Sequence, residues 1–64
     1  MKANLQKLRL AMARACINTA DLQKATGMPM PTVINVMTGR SVRPATIGRV
    51  AKALGVDVTE ILED

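Results

Sequence analysis

The side chains able to do chemistry in this chain are almost all cationic. Nine lysines and arginines stand against five acids in 64 residues, and their placement is lopsided. Lys2, Lys7, Arg9, Arg14, Lys24, Arg40, Arg43, Arg49 and Lys52 all fall within residues 1–56, where Asp21 is the sole acid, so that stretch carries a net +8. Asp57, Glu60, Glu63 and Asp64 close the chain. A cationic body of this kind attracts a polyanion, and the acidic end leaves one face free of that role. Groups for other chemistries are missing. There is no histidine, Cys16 is the only cysteine, and Phe, Tyr and Trp are absent. No paired carboxylates, metal-ligand spacing or phosphate-binding glycine loop can be found, so no catalysis, metal or cofactor is expected. Base-stacking platforms of the single-strand and RNA-binding kind need aromatics and are excluded. Cys16 has neither a resolving thiol nor a histidine beside it and reads as a plain junction residue in a reducing compartment. A domain this small leaves little room for a pocket, and no small-molecule ligand is expected.

The elements that must carry these charges are short helices. Residues 18–39 read NTADLQKATGMPMPTVINVMTG. Leu22, Val33 and Val36 supply an apolar seam broken by Gly27, which predicts a helix, a glycine turn and a second helix. Such a helix-turn-helix presents its second helix to the major groove of DNA. Asn18 and Asp21 have the spacing of a capping box, opening a helix over about 19–26 with Leu22 and Ala25 inward. The next helix begins between Met30 and Pro31 and ends near Thr38, before Gly39. Val33, Val36 and Met37 form its buried stripe, leaving Pro31, Thr32, Ile34, Asn35 and Thr38 outward; Met28 packs beneath the turn and Met30 is the methionine expected in solvent.

Around this pair, Leu5, Leu8, Ala11, Met12 and Ala15 line one face of a first helix over about 3–15. After the basic loop RSVRPA, residues Ile47, Val50, Ala51 and Leu54 keep helical spacing over about 46–54, ending at Gly55. Asp57 and Glu60 make a second capping box, predicting a short fifth helix with Ile61 and Leu62 inward. The expected fold is all-α, one compact five-helix domain over residues 1–64 without strands. Nothing reaches the roughly 20 apolar residues of a membrane span and no signal peptide is visible, so a cytoplasmic protein is expected.

Taken together, Asn18, Leu22, Gly27, Thr32-Val33, Gly39-Arg40, Arg43-Pro44 and the run VAKALGVDVTEIL at 50–62 resemble the phage repressor and Cro-type (XRE-like) helix-turn-helix regulators. The likeness spans nearly the whole chain. It implies a small transcriptional regulator, a repressor, that binds double-stranded DNA as a homodimer. Transferred position by position, Met30, Pro31, Thr32 and Asn35 would face bases in the major groove, with Asn35 able to pair bidentately with adenine. Asn18, Thr19, Thr38, Arg40 and Arg43 would meet the DNA backbone. Val56, Val58 and Leu62 would form the dimer surface.

The chain also departs from the family habit. Thr19 replaces a common Gln, Gln23 stands where Ala is frequent, and Pro29 cannot supply a side-chain cap. Met12 and Met37 occupy positions where relatives often bury an Arg–Glu pair, a swap that is commonly neutral or stabilising; they are expected to touch in the core. The outward face with Met30, Pro31 and Ile34 is apolar. It fits readout of thymine methyls beside Asn35, or a module that binds a protein partner and has lost DNA readout.

Overall fold

A computed structural model describes residues 1–63 and shows four α-helices, α1 (Leu5–Ala15), α2 (Thr19–Thr26), α3 (Met30–Met37) and α4 (Pro44–Leu54), followed by a 3-10 turn at Val58–Glu60. Each boundary has a local cause. The Asn4 side chain caps α1 by accepting from the Lys7 N–H at 3.0 Å. The capping box of α2 is complete: the Asp21 N–H donates to Asn18 Oδ1 at 2.8 Å and the Asn18 N–H donates to Asp21 Oδ2 at 3.3 Å. Gly27 ends α2 at φ 70°, in the left-handed region where an L side chain is strained. Pro29 opens α3 with its carbonyl alone, accepting from Thr32 and Val33 at 3.0 and 3.2 Å.

Helix α4 starts two residues before its expected position. Arg43 is extended and Pro44 takes the first helical position, where a fixed φ and a missing N–H cost nothing. The fifth helix is not formed. The Asp57–Glu60 capping box is present, yet it opens only the 3-10 turn. The chain then leaves helical geometry because its backbone is claimed elsewhere: Asn4 donates to the Ile61 carbonyl at 2.8 Å, Glu63 donates to the Lys2 carbonyl at 3.0 Å, and Ala3 pairs antiparallel with Leu62. A helix carried past Leu62 would take the Glu63 N–H back to the Thr59 carbonyl and forfeit its bond to Lys2.

One core cluster joins all four helices to the chain ends. Leu8, Leu22, Val33, Val36, Ile47, Val50 and Ile61 are fully buried, and Ala3, Ala11, Met12, Met28, Ala51 and Leu54 complete it. Leu22, Val33 and Val36 lock α2 against α3, and α2 also lies along α4. Met12 is buried and Met37 packs half-buried against the same cluster, so neither methionine is mostly in solvent. Ala25, expected inward, is exposed. Leu22 alone anchors this short helix, and Ala25 falls on the rim between α2 and α4, where its single methyl has little to gain from burial.

Candidate nucleic-acid interface

The buried seam fixes how α3 is presented. With Val33 and Val36 turned fully inward, Pro31, Ile34 and Thr38 are exposed, and Ile34 keeps 45% of its surface in solvent. Thr32 and Asn35 are half-buried on the flanks of that strip. The Asn35 amide and the Thr32 hydroxyl make no hydrogen bond to the described residues, so both retain their full capacity for a partner outside the chain. Thr38 differs. Its hydroxyl donates to the Ile34 carbonyl at 2.8 Å, with the Asn35 carbonyl at 3.3 Å, and so has spent the proton that a phosphate oxygen would accept. Met30 also departs from expectation: it packs half-buried against the core, while Met1 is the exposed methionine, 42% in solvent. At the first position of α3, Met30 can fold back over the Gly27–Pro29 turn and cover apolar surface there.

Two features next to the helix pair bear on an anionic partner. The cap of α2 satisfies the Asp21 N–H and leaves the Thr19 and Ala20 N–H groups without a partner among the described residues, while the Asp21 carboxylate in the same turn offsets part of the helix dipole. The loop from Gly39 to Arg43 carries Arg40 and Arg43, both exposed and, among the described residues, in no ion pair. Gly39, at φ 77°, turns the chain out of α3, and the Arg40 N–H closes the helix by donating to the Asn35 carbonyl at 3.0 Å. The carbonyl carrying Asn35 is thus tied to the loop that carries the arginines. Arg9, Arg14, Lys24, Arg49 and Lys52 are likewise exposed without an ion pair among the described residues, so these charges are not neutralised by them.

A surface groove of about 380 Å³ between α2 and α4 is lined by Ala25, Thr26, Arg49, Lys52 and Ala53. It is larger than the sequence suggested for so small a chain. Its polar lining is Arg49, Lys52 and a Thr26 hydroxyl that already donates to the Leu22 carbonyl at 2.8 Å. Among the described residues no group of His, Cys, Asp and Glu is placed to hold a metal ion. No described helix is long and apolar enough to cross a membrane. The Asp57 carboxylate is held below its ordinary 3.8 by the Thr59 N–H and then the Thr59 hydroxyl, at 2.9 and 2.8 Å.

Val56, Val58 and Leu62 are all half-buried, each with one side on the core and the other exposed. The pairing of Met1 with the basic loop escaped the sequence altogether; a two-residue backbone match across some forty positions leaves no periodic signal.

A glycine-broken helix pair with a buried seam, an outward second helix and unpaired arginines beside it defines a helix-turn-helix of the nucleic-acid-binding kind. The sequence confirms this at family level. Residues 7–64 match the Cro/C1-type HTH DNA-binding domain, and the chain belongs to that family. No curated protein and no solved structure matches it.

Proposed function

We propose that this chain is a small sequence-specific regulator of transcription, a repressor, that reads the major groove of double-stranded DNA with α3. The observation that carries the reading is the Asn35 amide: without a hydrogen bond to the described residues, on the flank of the exposed strip of α3, in a helix whose opposite face is locked by fully buried valines. An amide so held can donate to and accept from one adenine edge. Thr32 and Pro31 flank it, and Ile34 joins them as an apolar contact suited to a thymine methyl. Met30 contributes through its exposed edge only. Arg40 and Arg43 supply phosphate contacts, with Asn18 and Thr19 at the α2 N-terminus as a further backbone anchor. Thr38 is the weakest of the proposed backbone contacts because its hydroxyl proton is already engaged.

The 64 residues act as one domain, and two copies bind together through Val56, Val58 and Leu62. Two α3 helices would then sit about 34 Å apart on one face of the duplex. The alternative, a protein-docking module, needs a broad apolar patch; with Met30 turned toward the core that patch shrinks to Pro31 and Ile34, which favours methyl readout.

Selection of bound duplexes from a random pool tests the reading. A two-fold symmetric site with one dominant adenine–thymine position per half supports it. Affinity should fall by orders of magnitude between about 50 and 200 mM salt as counterions are released. No duplex binding at the lower salt would sink the DNA reading in favour of the protein-docking one.

A further inference from the structure

The first residues of the chain are built into the basic loop. Met1 and Val42 exchange both backbone hydrogen bonds: the Val42 N–H donates to the Met1 carbonyl at 2.7 Å, and the Met1 nitrogen donates to the Val42 carbonyl at 2.8 Å, with Ser41 Oγ at 3.4 Å. This is a hydrogen-bonded antiparallel pair. The same short segment is held from its other side. Glu63 donates to the Lys2 carbonyl, Asn4 donates to the Ile61 carbonyl, and Ala3, buried in the core, pairs with Leu62. The segment is therefore anchored independently of the loop it grips.

The Val42 side chain packs half-buried against the core, but the backbone of that loop has few other ties. The Arg40 N–H closes α3 on the Asn35 carbonyl, and the Arg43 carbonyl opens α4 by accepting from Thr46 and Ile47 at 2.9 and 3.3 Å. Between these two ends, the backbone of Ser41 and Val42 bonds to Met1 alone among the described residues. The Arg40 and Arg43 side chains flank that stretch and make no hydrogen bond or ion pair with the described residues.

We infer that Met1–Ala3 is a positioning element for the DNA-backbone contacts: it sets the separation and aim of Arg40 and Arg43 before DNA arrives. The inference rests on the DNA reading above. Its physical content is preorganisation. A loop ordered on folding does not lose that freedom at the moment of binding, so the arginines bind phosphate more tightly than the same arginines on a slack loop. Base readout by the Asn35 side chain is set by α3, which the buried Val33 and Val36 hold in the core, and is left untouched.

The chain is short enough to assemble by ligating residues 1–15 to 16–64 at Cys16. Replacing the Ser41–Val42 amide with an ester removes the Val42 N–H and no side chain. A second chain lacks Met1. Both are compared with the unmodified chain for thermal midpoint, duplex affinity across about 50–200 mM salt, and base preference. The expected result is about tenfold weaker binding, with the salt slope, base preference and folding retained because the same phosphates are neutralised. In an Arg40→Ala/Arg43→Ala background the ester and the truncation should add no further loss. Unchanged affinity in the ester chain would overturn the inference, as would a loss that persists without the arginines. Should the truncated chain unfold, the ester chain decides alone. If the unmodified chain binds no duplex even at the lower salt, it is the DNA reading that fails, and this inference with it.

Discussion

Replacing Asn35 with alanine isolates base readout from everything else the domain does. Asn35 is half-buried, makes no side-chain hydrogen bond to the described residues, and lies outside the core cluster. Truncation therefore opens no cavity and orphans no buried group. Alanine is also the better helix former, by about 0.5 kcal/mol, so the folded state should be unaffected or slightly favoured. The cost falls on the complex. Losing one bidentate amide–adenine pair is worth about 1–3 kcal/mol, or roughly 5- to 150-fold, in each half-site. Two protomers on one operator double the free energy, giving at least about 25-fold. No phosphate contact is lost, so the slope of log affinity against log salt should stay the same while the whole line drops. Fluorescence anisotropy against salt, paired with a random-duplex selection, reads both quantities. The selected site should lose its preference at one base pair per half and keep it elsewhere. An unchanged site profile would show that Asn35 is not the reader, and a changed salt slope would show that it acts on the backbone instead.

Other expectations test the scaffold. Leu22→Ala empties the fully buried contact between α2 and α3 and should cost about 2–5 kcal/mol, a large share of the stability of so small a chain, leaving much of it unfolded in a denaturant titration at 25 °C. A loss under 1 kcal/mol would mean the seam is not the main brace. Cys16 holds φ 56° at the C-terminus of α1, and its N–H donates to the Ala13 and Met12 carbonyls, so Cys16→Gly keeps the cap and relieves the strain. It should raise stability by about 0.5–1 kcal/mol, or several degrees in thermal midpoint; a lower midpoint would contradict that account. The Asp57 carboxylate is more acidic in the folded chain than its ordinary 3.8, so its contribution is present above that pH and is lost as the pH falls through the lower folded value. The Thr59 amide resonance should therefore titrate below pH 3.8, and a midpoint above it would show that the Thr59 bonds do not favour the charged form.

The parts of this fold that were legible in the sequence are those set within one or two helical turns. The bounds of α2 followed from Asn18, Asp21 and Gly27, and the seam from Leu22, Val33 and Val36, because caps and helical periodicity join residues three or four apart. The outward placement of Pro31 and Ile34 came with that seam. The start of α4 was readable too, since Pro44 suits a first helical position, but the apolar pattern beginning at Ile47 drew the boundary later. Cationic excess over residues 1–56 was a matter of counting, and it pointed to a polyanion before any geometry was known.

Tertiary structure decided the rest. Asp57 and Glu60 carry the local signature of a helix start, and a 3-10 turn results because the backbone of Ile61 and Glu63 is taken by Asn4 and Lys2. Met30 turned toward the core and Ala25 away from it, according to which neighbouring surface was available for each to cover. Thr38 engaged its own helix, which no spacing rule distinguishes from a free hydroxyl. Most of all, Met1 came to hold Val42, and with it the loop between Arg40 and Arg43. Local sequence encodes the propensity of each segment; only folding brings together backbone groups far apart in the chain, and those non-local bonds tie the basic loop to the first residue.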